Sequence, residues 1–240
     1  MASIPSYTPL LKPGEAAEQR LVESILSGAF PIQSNLPAER ELAALLGVTR
    51  PTLREALQRL SRDGWLEIRH GKPTRVRDFW REGNFGVLVA LASYSGDLPP
   101  DFVPSLLAVR QLITPEMAFA ALTNAPQSIT AYLSSAFTLS DEPLSYAEFD
   151  WGLHHAFALA SNNPFFTFFT NSVRQLYSRM GVLYFAHART RHHSARFYAD
   201  LFTACQPPDP ERARQLCADV MRASREFWLA LPQLPQEKSL

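Results

Sequence analysis

The 240-residue sequence predicts a mainly α protein with a small α+β part at its N-terminal end, followed by an all-α helical bundle. Three observations carry this. Apolar residues recur at helical spacing in most segments between proline, glycine or polar breaks. One short stretch, Trp65–Val76, instead alternates apolar and polar residues around a glycine, as a two-stranded hairpin does. Hydrophobic residues make up 46% and charged residues 19%, enough apolar surface for a core and too little charge for a disordered chain.

Residues 1–13 hold three prolines and little periodicity, and read as a loose arm. From Gly14, Leu21, Ile25 and Leu26 mark a helix that ends near Gly28. "LPAERELAALLGV" gives the next helix. Pro37 suits its first turn, where a missing N–H costs nothing. Glu39 and Glu41 complement the positive end of the helix dipole. Leu42, Leu45 and Leu46 form its apolar stripe, and Gly47 stops it with a left-handed residue. Thr49 is then a capable N-cap. Leu53, Ala56, Leu57 and Leu60 recur at i, i+3, i+4 and i+7, an amphipathic helix running to about Arg62 and ended by Gly64. The hairpin follows, with His70 and Gly71 at its tip. After Phe79 and Trp80, helical periodicity runs through 84–94, 101–123, 127–139, 145–160, 164–186, 191–206 and 210–230. The expected division is residues 1–76, a linker at 77–83, and a helical region at 84–240.

Helix, short turn, helix and hairpin in that order make a winged helix-turn-helix. Its second helix presents Arg50, Thr52 and Arg54 near the N-terminal end. A helix fits the major groove, and its N-terminal residues meet the base edges. A guanidinium pairs two-fold with guanine acceptors or clamps a phosphate. Thr hydroxyls and helix N–H groups suit phosphate oxygens. Arg40 can anchor the backbone from the preceding helix. The narrow, basic tip at His70 and Gly71 can enter a minor groove. The formal net charge of zero hides an asymmetry. Arg40–Arg77 holds nine Arg/Lys and four Asp/Glu, net +5, which leaves 14 basic and 19 acidic residues elsewhere, net −5. Local positive charge attracts phosphates even on a neutral protein.

Other chemistries find little support. There is no glycine-rich phosphate loop, no G-x-S-x-G, and no cysteine with a credible histidine partner, so an enzyme is not expected. Cys205 and Cys217, twelve apart, match no metal or redox spacing and read as buried free thiols. No apolar run approaches the ~20 residues that span a bilayer. The N-terminus lacks the basic start and apolar core of a secretion signal, so a cytoplasmic location and no membrane partner are expected. The acidic remainder is rich in aromatics: twelve Phe, Tyr and Trp lie between Phe165 and Trp228. Such rings can pack a core or line an apolar ligand cavity. Tyr177 and Tyr184, seven apart, share one helix face.

"LPAERELAALLGVTRPTLREALQRLSRDGWLEIRHGKPTRV" resembles the DNA-binding domain of the GntR family of bacterial transcription regulators. "RDGWLEIRHGKPTRVRDFW", "LLAVR", "ASNNP" and "LYSRMGVLYFA" are similar to its FadR type. The resemblance implies a homodimer on a palindromic operator in double-stranded DNA, contacted by Arg40, Thr49, Arg50, Thr52, Arg54, His70 and Gly71. Pro51 stands where that type usually has threonine, so one phosphate contact is expected to be missing. The resemblance further implies long-chain fatty acyl-CoA as effector, releasing DNA. It also implies repression of fatty-acid degradation genes and activation of unsaturated fatty-acid synthesis genes, with no cofactor. By position, Phe79, Leu106, Leu107, Arg110, Tyr177, Tyr184, Ser224 and Trp228 match the ligand region. Arg110 can hold a phosphate or another polar group of the ligand, or pair with an acid such as Asp150 or Glu116. Met221 and Ala223 stand where that type has glycine and glutamate, and Met221 is expected to narrow the access route. An alternative remains within the same family, in which an Asp and three His hold a metal and sense a small carboxylate. Asp150 and His154 match two of those four positions. The other two fall at Tyr198 and Val220, which are poor ligands, and no metal is expected. His187, His192 and His193 read as a solvated helix boundary.

Overall fold

The computed structural model describes residues 12–94, 96 and 98–230. They form two compact units that divide after Gly96. Of the expected N-terminal arm, residues 1–11 lie outside the described residues. Pro13 already opens the first helix.

In the first unit α1 (Pro13–Leu26), α2 (Glu39–Leu46) and α3 (Arg50–Asp63) pack around Leu21, Ile25, Leu42, Leu53, Leu57 and Leu60, all buried. Burying each such side chain stabilises by about 1.5–3 kcal/mol relative to exposure. Two arginines fix the helices at their edges. Arg59 pairs with Glu18 at 2.6 Å, joining α3 to α1, and Arg20 donates to the Leu46 carbonyl at 2.9 Å, capping α2. The short turn closes as expected, since Gly47 takes the left-handed conformation at φ 67°. Pro37, expected in the first turn of α2, lies one residue before its cap at Ala38.

The hairpin is β1 (Leu66–Glu67) and β2 (Arg75–Val76), antiparallel with Leu66 opposite Val76. The far edge of β2 is also used. The Gln33 N–H donates to the Val76 carbonyl at 2.9 Å, and the Leu36 N–H to the Thr74 carbonyl at 2.8 Å. The loop before α2 thus pairs with β2, which the loop's sequence did not signal. The expected linker at 77–83 is not merely a connection. It contains α4 (Phe79–Glu82), and α5 (Phe85–Ser93) follows in the same unit. The cause is local: the Asn84 side chain caps α5 and donates to the Arg62 carbonyl at 3.0 Å, tying α5 to the end of α3.

The second unit contains α6 (Phe102–Asn124), α7 (Pro126–Ser134) with a 3-10 turn at Ser135–Thr138, α8 (Pro143–Ala160), α9 (Pro164–Ser172), α10 (Arg174–Phe185), α11 (Ala188–Ala204) and α12 (Pro210–Ala230). No strand occurs there among the described residues. The single helix expected at 164–186 is two, because buried Val173 leaves helical geometry at ψ 5°. Helix α8 runs through the middle, with Tyr146, Phe149, Leu153 and Phe157 in the core and Asp150 and His154 buried beside them. Helix α10 comes close to it at Gly181, where a Cβ would stand 3.1 Å from the Cβ of Ala147.

Candidate nucleic-acid interface and internal cavity

The N-terminal end of α3 is built by its cap. Thr49 Oγ1 accepts the Thr52 N–H at 3.3 Å, and the two hydroxyls lie 2.8 Å apart. This exchange fixes the first turn, with Arg50 as its first residue and Arg54 one turn on. Pro51, second in the helix, removes an N–H that had no helical partner. Arg40, Arg50 and Arg54 are exposed, and so are His70 and Gly71 at the hairpin tip, where Gly71 is left-handed at φ 71°.

Some of the basic side chains are already engaged. Arg69 pairs with Glu67 at 2.6 Å, and Arg75 donates to the carbonyl of Gln33 at 3.1 Å and to its side chain. From its place at the start of α2, Glu39 is expected only to complement the helix dipole. In the structure its carboxylate receives Arg54 Nε at 2.8 Å and stands 3.7 Å from Arg50 Nη2. The signal was present as an acid at the start of α2. The pairing depends on the angle between α2 and α3, which no spacing rule supplies.

The second unit contains a partly open cavity of about 60 Å³. Leu106, Leu107 and Arg110 line it from α6, Tyr177 and Tyr184 from α10, and Ser224 and Trp228 from α12. Leu176, Met180, Gly181, Phe185, Ser194, Val220 and Met221 complete most of the wall; of these, Leu176, Met180, Gly181 and Ser194 carry no individual signal in the sequence. Phe79 is not among the lining residues. Its ring lies 4.6 Å from Trp65 in the core of the first unit. Most of the aromatics between Phe165 and Trp228 are also elsewhere. Phe165 and Phe168 are exposed on α9, and Phe197 and Tyr198 are packed in the core.

One wall of the cavity is polar. Asp150 accepts hydrogen bonds from Tyr198, at 2.8 Å, and from Tyr177. Arg110 Nη2 lies 2.8 Å from His154 Nε2 and 3.1 Å from the Tyr177 hydroxyl. His154 Nε2 also stands 3.5 Å from Asp150 Oδ2, so the imidazole lies between the guanidinium and the carboxylate. Burial first, then the charge of Arg110, holds His154 below its ordinary pKa. Burial opposes the charge of Asp150, but His154, Arg110 and Tyr177 outweigh it and bring the carboxyl down to about 2. Tyr177 and Tyr198 are raised well above the ordinary phenol value, by burial first and then by Asp150. Burial raises Tyr184 to about 12, and its hydroxyl meets Ser224 at 3.3 Å.

These residues do not suit a metal. Asp150 and His154 do come together, 3.5 Å apart, but the remaining partners are two phenols and a guanidinium that repels a cation. No group of three or more His, Cys, Asp or Glu able to hold an ion occurs among the described residues. His193 packs edge-on against Phe227, while His187 and His192 are exposed. Cys205 and Cys217 are free and buried, and burial raises both thiols, Cys217 beyond the usual range. Among the described residues no helix is long and apolar enough to cross a membrane.

A Thr-capped, arginine-bearing helix packed on a second helix and followed by a basic hairpin is the DNA-binding half of a transcription regulator, here joined to an all-helical unit. The chain belongs to the gntR family of bacterial regulatory proteins: the family model matches residues 13–76, and that of the FadR C-terminal domain matches residues 77–238. Over 211 residues the chain is 41% identical to the fatty acid metabolism regulator protein of Yersinia enterocolitica, covering 88% of this chain and 87% of the relative. It is 38% identical over 216 residues to the protein of the same description from Yersinia pestis, covering 90% of each. A solved structure of Lar, which controls expression of the Listeria monocytogenes agr system, shares the fold with a TM-score of 0.61 at 16% identity, covering 94% of this chain and all of that one. The family consists of regulators, so the chain is not an enzyme.

Proposed function

We propose that this chain is a cytoplasmic, homodimeric regulator of fatty-acid metabolism that grips a palindromic operator and is released by long-chain fatty acyl-CoA. It represses fatty-acid degradation genes and activates unsaturated fatty-acid synthesis genes. Arg40, Thr49, Arg50, Thr52, Arg54, His70 and Gly71 contact the DNA. Leu106, Leu107, Arg110, Tyr177, Tyr184, Ser224 and Trp228 meet the effector. The observation that carries the effector half is the cavity, which draws on α6, α10 and α12 and joins an apolar wall to a polar one. The likeness to the fatty acid metabolism regulator proteins of Yersinia supports the pathway.

The mechanism follows from size. The cavity, at about 60 Å³, is small beside a long acyl chain. A long acyl chain therefore enters only a rearranged unit, in which flexible Met180 and Met221 swing aside. Burial then returns about 0.8 kcal/mol per CH₂. The chain selects an expanded state and shifts the population toward it. In a dimer whose recognition helices must meet half-sites about one helical turn apart, a small rotation is enough to lose the operator. By linkage, operator weakens effector binding by the same factor. The test is fluorescence anisotropy of an operator duplex titrated with acyl-CoAs of several lengths and with a small dicarboxylate. Release by long acyl-CoA alone is expected. Release by the dicarboxylate, or by nothing, overturns the reading.

A further inference from the structure

The proposed DNA contacts leave one charged group at the end of α3 without a role. Glu39 is the first residue of α2, and its carboxylate faces the two arginines assigned to the operator. Arg54 Nε donates to it at 2.8 Å, and Arg50 Nη2 stands 3.7 Å away. All three side chains are at least one-third exposed, so solvent and DNA can reach them. An acid in a surface meant for a polyanion opposes binding unless it does something else.

We infer that Glu39 is a specificity-determining residue, which neutralises the long-range pull of Arg54 and Arg50 on phosphates and leaves their short-range donors to read base edges. This rests on the DNA-reading role proposed above. Attraction between a guanidinium and a phosphate is mainly charge, acts over several ångströms, and carries no sequence information. Beside Glu39 that charge is largely cancelled. The hydrogen bond with Glu39 uses Arg54 Nε, and a guanidinium has four more N–H donors on its two Nη atoms. Those donors still match neutral acceptors such as guanine O6 and N7, where geometry decides the contact. With its Nε side held, the planar fork also has fewer orientations to lose on docking. Glu39 therefore weakens attachment to DNA of any sequence more than attachment to the operator.

The test uses the full-length chain, the duplex it selects from a randomised pool, and a scrambled duplex of the same composition, with binding measured across a salt series. Unchanged melting temperature of Glu39→Gln shows that the fold is kept. For Glu39→Gln the scrambled duplex should bind about fivefold tighter, with the slope of log affinity against log salt steeper by about 0.9, while the selected duplex gains less than about twofold. In an Arg54→Ala background most of that gain should vanish, because the hydrogen-bonded partner of Glu39 is gone and only the more distant Arg50 remains. Equal gains on both duplexes, no gain, or a gain that persists without Arg54 overturns the inference. If the unaltered chain selects no sequence at all, the DNA-reading role itself fails, which is a separate and recognisable result.

Discussion

Arg110 and His154, 44 positions apart, meet in the second unit with Nη2 and Nε2 at 2.8 Å. The contact lies against ionised Asp150, behind the polar wall that Arg110, Asp150 and Tyr177 give the cavity. The charges around Asp150 are therefore balanced internally: one guanidinium and one carboxylate, with an imidazole and two phenols that stay protonated packed against them.

The acid limb of stability should report Asp150. Its folded pKa of about 2 lies below the ordinary 3.8, so its contribution is complete above about pH 4 and is lost as pH falls toward 2. The depression corresponds to about 2 kcal/mol. Asp150→Asn should lower stability at pH 7 and flatten the loss between pH 4 and pH 2. Urea unfolding at a series of pH values checks this, and an unchanged acid limb would remove Asp150 as its cause.

Arg50→Ala and Arg54→Ala should each weaken operator binding by about 1–3 kcal/mol and leave the oligomeric state intact. Both side chains are exposed, so no core packing is lost. Mobility-shift titration together with sedimentation measures the two properties separately. Operator affinity equal to the parent's would take these residues out of the contact set.

Met221 and Trp228 should act in opposite directions. Met221 is buried against the cavity, so Met221→Ala costs about 2–5 kcal/mol but enlarges the space. Acyl-CoA should then release operator at lower concentration. Trp228→Ala removes apolar wall and should blunt release while DNA binding persists. If both variants respond as the parent does, the cavity is not the effector site.

Two left-handed glycines should differ in cost. Gly47→Ala, at φ 67° with open space around it, should cost about 1 kcal/mol. Gly64→Ala, at φ 97°, also drives its Cβ to 3.0 Å from Gly83 Cα and 3.3 Å from the Glu82 carbonyl. Thermal melting should show the larger drop for Gly64. The reverse order would mean that the Gly83 backbone yields easily.

Local rules acting within a few residues were legible in the sequence. Gly47 and Gly64 end their helices, Thr49 caps α3, the 65–76 alternation gives the hairpin, and Tyr177 and Tyr184 share a face that lines one cavity. Each follows from backbone geometry or helical period, which a sequence states directly. Only the tertiary structure decided what distant segments do to one another. It paired Glu39 with Arg54, pinned α5 to α3 through Asn84, broke 164–186 at Val173, and sent Phe79 to Trp65 while Arg110 turned to His154. The physical reason is that such contacts depend on the angles and offsets at which helices pack. Those are fixed by the fit of whole side-chain surfaces, a property that no single segment contains.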